Sequence, residues 1–499
     1  MEIKLIKLIQ SELIKIFKTK GFYIILTISI LAMVIYNIKN PEQNSTSQTK
    51  IDINDINIST MEYGLNNLDS TSELYIEQKV NIEFYKLFNS FSNPSWQRYA
   101  LNEERTTNAM QNVDSTKFII LYLHNIYDYE LNPNSNVSID LYWKSKLKYD
   151  NYINSLKSNN WQEYINLKIE DLEELKSYTD NANIDFEIEY YKLRLDYNIN
   201  FDYDYKNQYL EQYKNNYYLI EFNKNNPYNE SATFNSSAIN DYKERMMICK
   251  YAIENNLNKD ISNENNLIYK NKIDARISLI RTFKYFEIIA VIMAIYVSTL
   301  LVVEEFNKGT IKNVLIKPHK RIKILISKIL ACLIAIIFTL TLVCIIQYFI
   351  GGFIYGFNSY ELEYICYNFN DNQIITMNIF KYLLLVALTK IPIFIIIILF
   401  CILIGILSKH TSLALILTLI IFFASNTLIA EWSKVEKFSK VSRYFITMNW
   451  DFSKFLFGRI SDISGINIAH SLMIYVLHFI LLFGLSVYCF NKKDVLNNK

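Results

Sequence analysis

Six apolar runs, and the 245 polar residues between the first run and the rest, set what this chain can fold into. The runs are 21–38, 284–303, 324–350, 381–407, 411–430 and 469–490. Each is about as long as the hydrocarbon core of a bilayer requires. Lipid offers no partner to a bare N–H or C=O, so an isolated run of this kind must be helical to satisfy its own backbone. The expected fold is therefore an all-α integral membrane protein. It has six transmembrane helices and a large helical extracytoplasmic domain, residues 39–283, inserted between helices 1 and 2. A cleaved signal peptide is the competing reading of the first run. The charged stretch before that run is long and no small-residue cleavage site follows Tyr36, so an uncleaved span is favoured.

Charge orients the spans. The net charge of +2 hides an asymmetry: residues 39–281 hold 26 basic and 36 acidic residues. That leaves the inserted segment at about −10 and everything else at about +12, the signature of opposite sides of a membrane. The basic connectors are 1–20, 304–323, the Lys409–His410 turn and 491–499. With six spans they all fall on one side, the cytoplasmic one, together with both termini. The Asn, Ile, Lys and Tyr bias fits an AT-rich bacterial genome, which makes a bacterial plasma membrane the expected location.

Residues 1–20 place Leu5, Ile6, Ile9, Leu13, Ile16 and Phe17 at helical spacing among lysines, as an amphipathic helix in the cytoplasmic headgroup layer would. In the inserted segment, Tyr, Ile and Leu recur every three or four residues over 140–157, 162–178, 186–223 and 242–256, with a last helix over 264–283. Asn/Ser clusters separate the first four, so mutually packed amphipathic helices are expected. The start of the segment, 41–59, reads as loose. Residues 351–380 form an outer loop. In 431–468 an interfacial helix is expected over 443–457, anchored by Trp450 and Tyr444. Cys249 and Cys366 both fall outside, so a disulfide between them is open.

No phosphate-binding glycine loop, zinc-type Cys/His spacing or nucleophile elbow is present. The expectation is a chain that is no enzyme, binds no cofactor or metal itself, and has no nucleic-acid partner. Chemistry then rests on isolated polar residues inside the spans. Lys390 is the most exceptional, about 12 Å below the outer end of its helix. An intramembrane charge is a functional-site hypothesis by default, against a Lys that snorkels or pairs structurally. Glu287 is its candidate counter-ion. Gln347, Asn426 and His478 read as interhelical hydrogen-bonding groups.

The connector 304–323 is the most specific stretch. Glu304-Glu305-Phe306, then Lys308-Gly309-Thr310-Ile311-Lys312, Leu315, Pro318, Arg321, Lys323-Ile324 and Ser327-Lys328 stand in one short run. This pattern resembles the permease subunits of ABC-2 type transporters, where such a run joins the second and third spans. The ending from Tyr488 to Asp494 is also similar. The resemblance covers about 40 residues and says little about 39–283. It implies a separate cytoplasmic ABC ATPase subunit that carries ATP and Mg, a second permease chain as a homo- or heterodimer, and surrounding membrane lipid. It implies that Glu304, Glu305, Gly309, Thr310, Leu315, Pro318 and Arg321 couple to the ATPase. Ile311, Val314 and Leu315 would offer an apolar docking face. Exported substrates would be amphipathic peptides, drugs or lipid-like molecules. A non-transporting signalling or immunity complex, with a partner-binding outer domain, is the alternative. The bland reading of the same residues is solvated glutamates at a span end and basic residues that serve topology alone.

Overall fold

A computed structural model describes residues 2–39, 55–105, 117–179, 181–201, 204–225, 232–257, 274–307, 320–408, 410–433, 436–459, 461 and 466–492. The fold is mostly helical, 81%. Its described residues fall into two compact units. One contains 1–44, 223–244 and 259–499, the other 45–222 and 245–258.

The first unit holds six helices long and apolar enough to cross a membrane: Lys20–Ile38, Ala275–Val303, Arg321–Tyr355, Ile379–Ser408, Thr411–Ile429 and Ile468–Lys492. They are called the first to sixth spans below. The second and fourth lie at the centre, 72% and 56% buried over their most apolar 18 residues, whereas the first, fifth and sixth are buried over less than a fifth of theirs. An apolar helix left that bare suits lipid or a neighbouring chain better than water. Backbones approach closely inside the bundle. A Cβ on Gly405 of the fourth span would sit 2.0 Å from Val303 Cγ2, so only glycine admits that contact. The last five residues of the second span, Thr299–Val303, are π-helical. This wider turn is rare and recurs at functional positions.

The N-terminal helix, Glu2–Lys18, ends at Thr19, directly before the first span. Its buried stripe is Leu8, Glu12 and Ile16, at four-residue spacing. Ile6, on the edge of the apolar face read from the sequence, is 53% exposed. An acid at the centre of the buried face turns the helix so that its side chain reaches buried lysine.

Residues 351–380 contain the one strand pair among the described residues, so the fold is not purely helical. Tyr364–Asn368 pairs antiparallel with Gln373–Met377. The turn between them carries Asn372 at φ +52°, a conformation asparagine tolerates. The expected 443–457 helix is replaced by two short 3₁₀ turns, Ile446–Met448 and Ser453–Gly458. Trp450 is 3% exposed and packs on Phe422. It is a core residue, whereas Tyr444 stays exposed.

The second unit is a helical domain. Its helices include Glu73–Asn89, Trp96–Arg105, Phe118–Leu131, Ile139–Lys157, Trp161–Lys176, Ala182–Asp196 and Tyr205–Asn225. The Ser/Asn residues that punctuate the sequence act as N-caps: Ser138 accepts from Leu141 N and Asn160 from Glu163 N, both at 3.2 Å. The sequence suggested one helix over 186–223. The structure breaks it, and Asn198 adopts φ +51° in the connection. The 242–256 helix starts earlier, at Ala232. Lys168 meets Glu104 at 2.5 Å in the interior, and Arg194 lies over the Phe201 ring. Burial pushes the Glu104 carboxyl up, against the pull of Lys168.

Candidate functional site

Four charged side chains meet where the second span ends and the third begins. Lys328, about two turns into the third span, is fully buried. Its Nζ lies 3.2 Å from Glu12 Oε1 and 2.8 Å from Glu305 Oε2. Lys15 closes the ring from the N-terminal helix, 3.0 Å from Glu12 Oε2 and 2.7 Å from Glu305 Oε1. Each carboxylate thus bridges both lysines, and the charges cancel. Lys328 also donates to the Leu301 carbonyl at 2.8 Å. That carbonyl belongs to the π-helical turn, where widened spacing frees acceptors that an α-helix would use internally. Burial pulls the Lys15 ammonium down, and Glu305 and Glu12 outweigh it, holding its pKa above the ordinary lysine value.

Two lysines and two glutamates hold the N-terminal helix, the second span and the third span at one point. A buried ion of this kind is tolerable only when fully partnered. The connector 304–323 springs from this point. Of its proposed coupling residues, Glu305 is 9% exposed and belongs to the ring. Glu304 is half-buried beside it. Arg321 donates to the Asn491 carbonyl at 2.6 Å, joining the start of the third span to the last turn of the sixth. Gly309, Thr310, Leu315 and Pro318 lie outside the described residues.

A second cluster lies further back along the second span, where the helical segment Glu287–Ser298 begins. Lys390, in the fourth span, is 8% exposed. It donates to Glu287 at 2.6 Å and to Asp451 at 3.0 Å. The Glu287 contact is the pairing suggested by depth. Asp451 was absent from that reading because it belongs to a loop 61 residues away in sequence. Its Oδ1 accepts from Ser453 N at 2.9 Å and Ser453 Oγ at 2.5 Å. Burial pushes the Asp451 carboxyl up, but Lys390 and the Ser453 donors hold it below its ordinary value.

The remaining intramembrane polar residues differ in use. Gln347 donates to Ser278 Oγ at 2.8 Å and to Asn37 Oδ1 at 3.2 Å, tying the first three spans together. His478 contacts only its own helix in the hydrogen bond observed, Nδ1 to the Ile474 carbonyl at 2.9 Å. That differs from the interhelical role expected of it. The Asn426 side chain lies outside what the structure describes. Cys249 and Cys366 are both free, buried thiols. Sequence reasoning missed Glu12 and placed Lys328 only in the connector pattern. The available signals were an acid flanked by Leu8 and Ile16 at four-residue spacing, and a lysine inside an apolar run.

A family of proteins of unknown function, DUF2705, matches residues 247–496. This chain belongs to that family. The DUF2705 match takes in the second to sixth spans and both ends of the second span, and leaves most of the inserted helical unit outside it. Two relatives come from Bacillus subtilis (strain 168). The uncharacterized protein YhcI is 23% identical over 262 residues, covering 51% of this chain and 77% of YhcI. The uncharacterized membrane protein YdbK is 25% identical over 203 residues, covering 41% of this chain and 76% of YdbK. No solved structure matches. A relative named as a membrane protein and six long apolar helices together support a membrane protein.

Proposed function

We propose that this DUF2705 chain is the membrane-spanning permease subunit of an ABC-2 type transporter in a bacterial plasma membrane. It works as an exporter of amphipathic peptide, drug or lipid-like substrates. A separate cytoplasmic ATPase supplies ATP and Mg, and a second permease chain completes the path. In this reading the connector 304–323 and both termini face the cytoplasm, and the inserted helical unit faces out. This chain is then no enzyme and holds no cofactor of its own.

The observation that carries the reading is the ring of Glu12, Lys15, Glu305 and Lys328 at the base of the connector whose sequence resembles ABC-2 permeases. A docking loop transmits force only if its root is stiff. Here the root is tied to two spans and to the N-terminal helix by bridged ion pairs. A push on the connector would therefore move three elements as one. The bare flanks of the first, fifth and sixth spans suit lipid and a second permease chain.

The test is copurification from mild detergent. Glu305 is unsuitable for substitution because it is part of the ring, so the variant is Ile311→Asp/Leu315→Asp in the connector. A cytoplasmic ATPase should copurify with the native chain and be lost from the variant, with the size-exclusion profile unchanged. An ATPase absent from both preparations contradicts the proposal.

A further inference from the structure

The charged groups around the two cavities at Lys390, of about 510 and 300 Å³, answer one another. Lys284, Lys390, Lys454 and Arg459 stand against Glu244, Asp241, Glu287 and Asp451, four charges of each sign among the described residues. Lys390 is held by Glu287 and Asp451, and Arg459 by Glu244 and Asp241. Lys454 donates to the Met448 carbonyl, and the Lys284 ammonium lies over the Tyr285 ring. A ligand with a net charge would bring it here unmatched, at the desolvation cost of a buried ion.

The larger cavity has one polar group without such an answer. Thr447, in the 3₁₀ turn Ile446–Met448, lines its wall and is 8% exposed. Its Oγ1 is buried and finds no hydrogen-bond partner among the described residues. A buried hydroxyl left bare is costly, so native structures supply it a partner from protein, water or ligand. The rest of the wall includes Ile288, Ile393, Phe422, Met448 and Trp450. One ordered water would satisfy the hydroxyl and leave these side chains uncovered. A plain hydrocarbon would cover them and leave the hydroxyl bare. A molecule with an apolar body and a hydrogen-bonding head meets both needs. The volume falls in the range of small-molecule sites, which pair apolar walls with a few placed polar groups. Tyr285 lines the cavity while remaining 40% exposed on the flank of the second span, so the cavity is reachable from that side.

We infer that the larger cavity binds an uncharged molecule with an apolar body and one hydroxyl or amide head. The head bonds to Thr447 Oγ1, and the body lies along Ile288, Ile393 and Phe422. The site is independent of the permease reading, which stands on the ring at Glu305; an ATPase that fails to copurify leaves the site in place. The bilayer and the solution both offer molecules of this class, and the same experiment separates them.

The experiment is photolabelling of the full chain in lipid nanodiscs with decanol that carries a diazirine, the labelled residues being read by mass spectrometry. Label should fall on the cavity wall, at Ile288, Ile393 or Met448, and unlabelled decanol should remove it. Decane, decanoate and decyltrimethylammonium, at equal concentration in the membrane, should compete about two- to tenfold less well, the range one hydrogen bond spans. Thr447→Val keeps the shape and removes the hydroxyl; there decanol should compete no better than decane. Thr447→Ser should keep most of decanol's advantage. Ile288→Trp fills the apolar side without touching the hydroxyl and should weaken decanol and decane alike. Diacylglycerol retained through purification and displaced by decanol assigns the site to a bilayer lipid; decanol labelling with no neutral lipid retained assigns it to a free molecule. Decanol competing equally in the native chain and in Thr447→Val overturns the inference. So does decanoate or decyltrimethylammonium competing as well as decanol, or label that avoids the cavity wall. Should Thr447→Val fail to fold, equal competition by decanol and decane in the native chain, the result expected if a water already holds the hydroxyl, overturns it alone.

Discussion

Two points along the second span, Glu287 within it and Glu305 just past it, handle buried charge in opposite ways. At the Glu305 end two lysines and two glutamates cancel within a closed ring, Lys328 is fully buried, and a main-chain carbonyl takes up the third contact. At the Glu287 end one lysine serves two acids, and that group borders two cavities. Glu287 and Glu305 are 18 residues apart, about 27 Å along a helix, so the same span carries a sealed cluster and an open one. A sealed, neutral cluster fixes geometry. An open one with charge beside apolar walls can change its partners. The contrast explains why we place transmission of force at the first.

Lys328→Met should break the contrast most severely. It leaves Glu12 and Glu305 buried with only half-exposed Lys15 to face them, at a cost of about 3–5 kcal/mol. Thermal unfolding in detergent reads this directly. Lys15→Met, on the same ring, should cost under ~1 kcal/mol, because its side chain is 43% exposed and water screens it. Equal losses for the two would show that the ring is not sealed.

Lys390→Met should fall between them, at about 1–3 kcal/mol, since water entering the cavities can solvate the abandoned acids. Charge exchange sharpens this. Glu287→Lys/Lys390→Glu should recover only part of the loss, because the new acid at 390 faces Asp451. Adding Asp451→Asn should recover more. Full recovery in the double variant would remove Asp451 from the cluster.

Asp451 also gives a pH signature. Its folded pKa is depressed, so its stabilising contribution is present above the unfolded carboxylate value of about 3.9 and is lost as pH falls through the lowered folded value. Stability measured from about pH 6 to pH 3 should decline on the acid side, and Asp451→Asn should flatten that decline. An unchanged acid limb in Asp451→Asn would contradict the Lys390 contact. This is the smallest effect expected.

Much of this was readable from the sequence, and the gaps have physical causes. Long apolar runs identify spans because lipid allows the backbone few alternatives. Lys390 and Glu287 were visible as charges at matching depth. Asp451 was hidden because a loop's position depends on tertiary packing, which local pattern does not encode. The break at Asn198 was missed because apolar spacing continued across it while the backbone turned. Glu12 was passed over because an acid on a basic helix reads as a solvated residue until the buried lysine opposite it is known. The strands Tyr364–Asn368 and Gln373–Met377 lie in a segment read from the sequence as an outer loop.

The permease account depends on the connector facing the cytoplasm, where ATP is. The most direct test is labelling of intact cells with a membrane-impermeant maleimide. The background is favourable: burial pushes the Cys249 and Cys366 thiols up to about 12, which slows their reaction. Lys317→Cys, in the connector, should stay unlabelled until the cells are permeabilised. Asn134→Cys, exposed in the helical unit, should label at once. Labelling of Lys317→Cys in intact cells would put the connector on the wrong side for any cytoplasmic ATPase and contradict the account.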